Sequence, residues 1–295
     1  MSDQISQADN EGFSESWLSL REPADHAARS AALSRKMVDA LHEKPKNIVE
    51  LGAGTGSNLR YLMPMLGHDQ SWLLADNDAK LLDHLPRILQ PWLSERQAKV
   101  EIVNGTLQVA HDNFSATIKT QVVNLATHLN DLCFDNASLV TASALLDLTS
   151  AQWLDNLAAK ITSHQCASLF VLNYNGQIQW QPEIPEDKVV SALLNEHQLK
   201  DKGFGQALGP GAGQYFADQL AQLGNKVLTE QSDWQIQAQS QDLQLAIVDG
   251  WAPAAIDQDA TSADTVELWH QAKLQAIKNQ HSELRVGHLD VLSVS

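Results

Sequence analysis

Apolar residues occur along the chain in short runs that alternate with amphipathic segments. Runs typical of buried strands lie at 47–51, 71–76, 121–125, 137–146 and 166–172. The segments between them repeat apolar positions every three or four residues and predict helices at 57–66, 79–89 and 153–160. Strands that alternate with helices are typical of an α/β protein. We therefore expect a doubly wound, mostly parallel sheet with helices on both faces.

The two ends of the chain extend this pattern. Residues 1–12 are polar and predict a disordered tail. Residues 13–41 show a helical pattern, and Pro23 suits a first helical turn. Beyond 172, a helical and glycine-rich stretch reaches Gly224. Further elements are then predicted at 225–230 (strand), 243–251 and 266–278 (helices) and 283–294 (last strand).

A glycine-rich turn, Gly52-Ala53-Gly54-Thr55-Gly56, joins the first strand to the helix that follows it. Glycine has no Cβ, so backbone N–H groups at such a turn can approach a ligand closely. At the edge of a parallel sheet this is where nucleotide-like ligands bind. The second strand ends at Asp76, whose carboxylate can accept both hydroxyls of a ribose, although it could equally cap the next helix.

The spacing of the glycines distinguishes between nucleotides. A dinucleotide fingerprint, G-x-G-x-x-G, would place its third glycine at Ser57, and the sequence instead has G-x-G-x-G preceded by Glu50. Residues 50–56 resemble motif I of the class I S-adenosylmethionine-dependent methyltransferases, and Asp76 matches the acidic residue of their motif II. The resemblance covers the strand succession from 47 to 172. It implies a seven-stranded Rossmann-like sheet with a reversed last strand.

The same resemblance assigns the cofactor contacts. It implies that Gly52, Gly54 and Gly56 flank the methionine part of S-adenosylmethionine and that Glu50 orders the turn or the cofactor's amino group. Asn124 and Leu125, which follow the predicted third strand, would flank the adenine. Many family members have an acidic residue near the position of Asn124, so this chain departs from the pattern there.

Four residues before the first strand recur at helical spacing: Trp17, Arg21, Asp25 and Arg29. One interpretation is a surface ladder of ion pairs beside a packed tryptophan, which is the more common outcome for such a spacing. The other is a lid in which Arg21 or Arg29 reaches a carboxylate of the cofactor. Both arginines are therefore candidate cofactor-binding residues.

Candidate catalytic residues follow the later strands, where the substrate of such a sheet would bind. Asp147 follows the fourth strand and could align a nucleophile or cap a helix starting near Ser150. Tyr174 follows the fifth strand and could hydrogen-bond a substrate or form an aromatic wall. His197 and Asp201 are four residues apart and would share a helix face, as a catalytic pair or, more commonly, as a surface contact. The nearby glycines at 203–213 predict a substrate cap.

These assignments predict one domain with four parts. A tail and helical lid would occupy 1–44, the cofactor-binding core 45–172, the substrate cap 173–224, and C-terminal strands and helices 225–295.

The composition of the chain limits the kinds of molecule that it is expected to bind. The net charge of −16 opposes nucleic acid, so a small-molecule substrate is expected. No apolar run is long enough to span a membrane. The N-terminus lacks the pattern of a signal peptide and the two cysteines have no CxxC spacing, which together predict a cytoplasmic protein. The 11 histidines show no metal-binding spacing, so no metal is expected, and the oligomeric state is not indicated.

The sequence thus predicts an enzyme that transfers a methyl group from S-adenosylmethionine to a small molecule. Three alternatives stay open. The chain could be a non-catalytic cofactor-binding or adapter protein with the same fold, or an NAD-dependent oxidoreductase, although the glycine spacing argues against the latter. The cofactor could also serve a chemistry other than methyl transfer.

Overall fold

Ten strands form one sheet in the computed structural model, which describes residues 13–294. The predicted tail at 1–12 lies outside the described residues. In chain order the strands are β1 (Lys46–Leu51), β2 (Gln70–Asp76), β3 (Lys99–Val103), β4 (Thr106–His111), β5 (Phe114–Val122), β6 (Leu139–Ser143), β7 (Ala167–Gln181), β8 (Lys226–Gln231), β9 (Trp234–Ile236) and β10 (Glu283–Val294).

The order of the strands is β3-β4-β5-β2-β1-β6-β7-β10-β8, and β9 pairs with β10. Strands β5, β2, β1, β6 and β7 are parallel. The last strand, β10, inserts between β7 and β8 and runs antiparallel to both. The predicted fold class, a doubly wound and mostly parallel sheet with a reversed last strand, is confirmed. Strands β3, β4 and β9 are additions to the seven strands that were predicted.

Helices cover both faces of this sheet. They are α1 (Glu15–Ala28), α2 (Ala31–Ala40), α3 (Ser57–Leu66), α4 (Ala79–Glu95), α5 (Leu125–His128), α6 (Ala151–Ser163), α7 (Glu186–His197), α8 (Ala212–Gln222), α9 (Gln241–Gln258) and α10 (Ala263–Lys278). Apolar residues of α2, α3 and α4 pack on one face, and those of α6 and α8 pack on the other. Within residues 13–294 no helix is long and apolar enough to cross a membrane.

The third core strand lies earlier in the sequence than predicted. It is β5, at Phe114–Val122, and not 121–125. Alternate residues of β5 are buried at its start, and the strand pairs in parallel with β2 from Gln70 to Asp76. The strands β3, β4 and β5 form an antiparallel meander, and β5 joins this meander to the parallel part of the sheet.

The fifth strand is longer than predicted. β7 continues from 172 to Gln181, because its second half pairs with the first half of β10. The segment 173–224, predicted as an inserted cap, therefore begins inside a strand. It also includes α8, which packs against α6 and the sheet. Only the part between Gln181 and α8 lies outside the core of the sheet.

The N-terminal helical segment is divided in two. Ser14 caps α1 and Ser30 caps α2, each by accepting a backbone N–H of the first helical turn. Pro23 was predicted in a first helical turn, but it lies inside α1. The break between the two helices places Arg29 at the C-cap of α1, where its side chain turns inwards and is only 5% exposed.

Candidate active site

The glycine turn that follows β1 adopts backbone conformations that favour glycine. Gly52, Gly54 and Gly56 have φ of +65°, +52° and +76°. At Gly56 there is also no room for a side chain, since a Cβ there would lie 2.7 Å from Cδ1 of Leu85. The turn is thus built for close approach of backbone groups, as the sequence predicted.

Asp76 ties the end of β2 to this turn. Its Oδ2 accepts a hydrogen bond from the N–H of Gly54 at 2.7 Å, and its Oδ1 accepts one from the N–H of Asp78 at 2.9 Å. Asp78, and not Asp76, caps α4 by accepting from the N–H groups of Lys80 and Leu81. Of the two roles predicted for Asp76, the helix cap is therefore wrong. Burial raises the pKa of the Asp76 carboxyl, against the backbone hydrogen bonds that lower it.

A buried carboxyl, that of Glu50, and a buried guanidinium, that of Arg29, lie beside the glycine turn. Glu50, near the end of β1, is 1% exposed, and burial raises the pKa of its carboxyl to about 8 despite the nearby charges of Arg29 and Arg60. Nη1 of Arg29 donates to Oδ1 of Asn58 at 2.6 Å, and the guanidinium stacks on the ring of Tyr61 at 3.9 Å. Among residues 13–294, Oε2 of Glu50 and both Nε and Nη2 of Arg29 have no hydrogen-bond partner.

Helix α1 covers the turn through residues that the sequence analysis missed. Leu18 contacts the turn, so that a Cβ on Gly54 would lie 3.2 Å from its Cδ1. Glu22 forms an ion pair with Arg60, whose Nη1 donates to the carbonyl of Thr55 at 2.7 Å. These contacts join α1 to the start of α3. The spacing of Leu18 and Glu22 on one helix face was the only signal in the sequence.

The predicted ladder on α1 is buried and not on the surface. Asp25 is 6% exposed, and it accepts two hydrogen bonds from Arg21 at 2.9 and 3.0 Å. Nε1 of Trp234, on β9, also donates to Asp25 at 3.0 Å. The guanidinium of Arg21 lies over the Trp234 ring, 5.0 Å from its centroid. Arg21 is therefore held on the side of α1 that faces β9, whereas Arg29 is on the side that faces the turn.

Asn124 and Leu125 lie next to the end of β2. The N–H of Val123 donates to the carbonyl of Asp76 at 2.8 Å, which places the following two residues at the same sheet edge. Asn124 caps the short helix α5 by accepting from the N–H of Ala126 at 2.9 Å. The side-chain oxygen of Asn124 is therefore hydrogen-bonded to the backbone of α5, and Leu125 is buried.

Two of the three predicted catalytic residues lie close together. Asp147 follows β6 and is buried, and burial raises the pKa of its carboxyl to about 6. The hydroxyl of Tyr174, on β7, donates to Oδ1 of Asn195 at 2.7 Å. Burial raises the pKa of Tyr174, and the negative charge of Asp147 raises it further. Asp147 does not cap the next helix, because Ser150 has that role.

His197 lies elsewhere. It is the last residue of α7, and its Nε2 is 3.4 Å from Oδ2 of Asp257 on α9. The predicted pairing with Asp201 is wrong, because the helix ends before Asp201. The Asp201 carboxylate instead accepts from the N–H groups of Gly203 and Gly205 at 2.7 and 3.0 Å. Burial lowers the pKa of His197.

His288, on β10, completes the group around Tyr174. Its ring meets that of Tyr174 edge-on with centroids 6.3 Å apart, and lies 5.2 Å from the ring of Trp234. Burial, together with the charge of Arg21, lowers the pKa of His288 to about 3. The sequence analysis did not single out His288, although a histidine within an apolar strand is a visible signal.

Of two clefts in the described structure, one lies at the other edge of the sheet and one lies beside Tyr174. One of about 300 Å³, lined by Gln70 and Ser115 among others, lies at the opposite edge of the sheet, where β2 and β5 begin. The other, of about 230 Å³, lies beside Tyr174 and is lined largely by amide side chains, including Asn173 and Asn175. Residues 13–294 contain no cluster of three or more potential metal ligands.

Known proteins that resemble this chain share little of its sequence. No protein-family model matches the sequence, and no curated protein matches it significantly. The cyclopropane synthase MmaA2 from Mycobacterium tuberculosis is 12% identical with a TM-score of 0.45, and the alignment covers 94% of each chain. A methyltransferase from Geobacter sulfurreducens, in complex with S-adenosyl-L-homocysteine, is 14% identical with a TM-score of 0.44, covering 95% of this chain and 98% of that one.

A methyltransferase from Thiobacillus denitrificans, also in complex with S-adenosyl-L-homocysteine, is 12% identical with a TM-score of 0.43; the alignment covers 97% of this chain and 100% of that chain.

Proposed function

We propose that this chain binds S-adenosylmethionine and transfers its methyl group to a small molecule. The observation that carries the proposal is the pair of buried groups beside the glycine turn. The carboxyl of Glu50 and the guanidinium of Arg29 interact electrostatically, and within residues 13–294 each has buried polar atoms without a hydrogen-bond partner. An α-amino acid group has an ammonium for the first and a carboxylate for the second. A dinucleotide has no such zwitterion beside its pyrophosphate, so the pair favours S-adenosylmethionine over NAD.

The residues around the turn fit the other parts of this cofactor. The positive φ values of Gly52, Gly54 and Gly56 allow close approach of its methionine part to the backbone. Asp76 retains acceptor capacity for a ribose hydroxyl, since its backbone hydrogen bonds at Gly54, Asn77 and Asp78 do not use all the lone pairs of a carboxylate. Asn124 and Leu125, at the adjoining strand end, are then the residues beside the adenine.

The protein's own contribution is alignment and exclusion of water. When bound, the cofactor supplies an electrophilic methyl group on a sulfonium. Helix α1 lies over the turn through Leu18, Glu22 and Arg29, which shields the region from solvent. Positioning the two reactants in a dry site accounts for much of the rate enhancement of such a transfer.

Asp147 is the residue that we assign as proton acceptor. It is buried, lies beside Tyr174, and has a pKa near 6, so that it is mostly ionised at neutral pH and still basic enough to take a proton. His197 is not assigned this role, because it lies at the C-terminal end of α7 and its imidazole pairs with Asp257. The net charge of −16 supports a small-molecule substrate over nucleic acid, and the free thiols of Cys133 and Cys166 support a cytoplasmic location.

Calorimetric titration with S-adenosylmethionine, S-adenosylhomocysteine and NAD⁺ tests the proposal. The first two are expected to bind and NAD⁺ is not. Asp76→Asn is expected to weaken binding about tenfold or more, whereas Asp78→Asn, at the helix cap two residues away, should leave it nearly unchanged. Failure of both adenosyl compounds to bind at millimolar concentration would refute the proposal.

A further inference from the structure

A second set of buried polar atoms surrounds Tyr174. Within the described chain, Oδ1 of Asp147 and Nδ1 of His288 have no hydrogen-bond partner. The two side chains are buried, with residue exposures of 8% and 5%. The His288 ring also has a backbone hydrogen bond at Val286, which raises the pKa of the imidazole against the effect of burial. Buried polar atoms normally have hydrogen-bond partners, so two of them without partners near Tyr174 indicate a place for a ligand.

Three elements bring these two side chains near Tyr174. Asp147 follows β6, Tyr174 lies on β7, and His288 lies on β10, which pairs with β7 so that His288 is opposite Tyr174. The charge of Asp147 acts on Tyr174, and the rings of Tyr174 and His288 are in edge contact. Trp234 adds a further aromatic surface against His288.

The charges facing this group come from α1, β10 and the segment before β9. Arg21 acts on both Asp147 and His288, but Asp25 neutralises it through two hydrogen bonds. Asp233, whose negative charge acts on His288, forms an ion pair with Arg285. Asp147 has no such partner among residues 13–294, so the region has an excess of negative charge and attracts a cation.

This region adjoins the cofactor site proposed above. Leu18 and Arg21 are neighbours on α1, about 4.5 Å apart along the helix axis at 1.5 Å per residue. Leu18 contacts the glycine turn and Arg21 acts on Asp147. A Cβ on Gly52 would also lie 3.6 Å from Cδ1 of Leu145, two residues before Asp147. A molecule held at Asp147 is therefore within reach of one held at the turn.

We propose that Asp147 and His288 together bind the methyl acceptor, and that the acceptor is a small amine attached to an aromatic or heterocyclic ring. The inference rests on the proposed function above. An amine with two N–H groups donates to Oδ1 of Asp147 and to Nδ1 of His288, and its ring packs on Tyr174 and Trp234.

The transfer balances with these groups. The bound ammonium first passes one proton to the Asp147 carboxylate, which frees the nitrogen lone pair. That lone pair forms the new N–C bond while the bond from the methyl carbon to sulfur breaks, and the electron pair of the broken bond stays on sulfur. The methylated nitrogen then carries the positive charge that the sulfonium has lost. His288, which is neutral at physiological pH, orients the amine and takes no proton.

Two substitutions of His288 separate hydrogen bonding at Nδ1 from a general structural role. Asparagine places a polar atom near the position of Nδ1, whereas glutamine places one near Nε2. Benzylamine is the probe, and its binding is measured by saturation-transfer NMR on the full chain saturated with S-adenosylhomocysteine. We expect His288→Asn to bind benzylamine within about threefold of the native chain and His288→Gln to bind at least tenfold more weakly. Benzoate, an anion of similar shape, should not bind.

The native chain supplies a measurement that does not depend on the folding of any variant. In protein labelled with ¹⁵N-histidine, benzylamine is expected to shift the Nδ1 resonance of His288, and benzoate is not. An unchanged resonance at saturating benzylamine, or equal losses of binding in the two variants, would overturn the assignment of His288. Binding of S-adenosylhomocysteine, measured separately, reports on the cofactor proposal, so the two failures are distinguishable.

Discussion

The N–H of Gly54 donates to the carboxylate of Asp76 at 2.7 Å, and this bond joins the turn after β1 to the end of β2. The two residues are 22 positions apart, but the parallel pairing of β1 and β2 brings their ends together. The bond fixes the position of the carboxylate relative to the glycine turn. It thereby sets the distance between the groups that we assign to the ribose and to the methionine part of the cofactor.

The crowding at Gly56 predicts a stability difference between two glycines. Gly56 and Gly105 have similar φ, +76° and +74°, so alanine at either position should cost about 1 kcal/mol of backbone strain. A Cβ at Gly56 would also collide with Leu85, whereas one at Gly105 meets no atom within 4 Å. Denaturant unfolding should therefore show Gly56→Ala to be less stable than Gly105→Ala by roughly 1–3 kcal/mol. Equal losses would contradict the close packing of the turn against α4.

The ion pair between Glu22 and Arg60 is predicted to hold α1 over the turn. Arg60→Met leaves Glu22 with the more distant His26, 3.8 Å away, and removes the bond to the Thr55 carbonyl, which should cost about 3 kcal/mol. Hydrogen exchange of the α1 amides should accelerate and S-adenosylhomocysteine should bind more weakly. Arg87→Met is the control, since Arg87 pairs with Glu15 at an exposed position, and it should cost less than about 1 kcal/mol. If α1 exchanges at the same rate in both variants, Arg60 does not anchor the lid.

The proton-acceptor role of Asp147 predicts a pH profile. The carboxylate is ionised above its pKa of about 6, so kcat/KM for an amine acceptor should rise with pH through a midpoint near 6. His288 stays neutral throughout this range and adds no second limb. Asp147→Asn should lower kcat about 100-fold or more and abolish the limb, with S-adenosylhomocysteine affinity unchanged. If kcat/KM of Asp147→Asn still rises with pH near 6, another group is the proton acceptor.

The pKa of Glu50 predicts how stability depends on pH. An unfolded glutamate titrates near about 4.3. In the folded chain the carboxyl keeps its proton to about pH 8, so between these values the folded state binds more protons and loses stability as pH rises. Glu50→Gln lacks this loss. Its free energy of unfolding relative to the native chain should increase from pH 5 to pH 8, by up to about 1.4 kcal/mol per pH unit.

The exposed Glu43 provides the control for this measurement. Glu43→Gln removes an exposed carboxyl and is measured in the same unfolding experiments. If the difference between Glu50→Gln and the native chain depends on pH no more than that of Glu43→Gln, the Glu50 carboxyl is not held protonated by burial.

The parts of the site that the sequence predicted are local ones. The glycine turn and Asp76 follow directly from a strand, a turn and the next strand end, because parallel strands bring their carboxyl ends to one edge. Asp147 was expected after the fourth strand by the same rule, and it follows β6. Tyr174 was expected after the fifth strand, but it lies within β7, because that strand continues to Gln181.

The remaining parts depend on packing between distant segments. The group formed by Trp234, His288 and Asp25 requires β10 to insert between β7 and β8, and no local pattern specifies this insertion. The pairing of Glu22 with Arg60 depends on how α1 crosses α3. His197 and Asp201 were placed on one helix by their spacing, but the helix ends at His197 and the following residues turn back through Gly203 and Gly205.

The most direct test of the cofactor assignment is the number of protons released on binding. Glu50 is mostly protonated at pH 7 in the free chain, and an ammonium beside it would favour the ionised form. Titration of S-adenosylhomocysteine at pH 7 in phosphate and in Tris, which differ in ionisation enthalpy, should therefore show a release of nearly one proton per ligand, and Glu50→Gln should bind weakly with no release. Tight binding with the same enthalpy in both buffers would contradict the contact between Glu50 and the amino group, and absence of binding would contradict the cofactor itself.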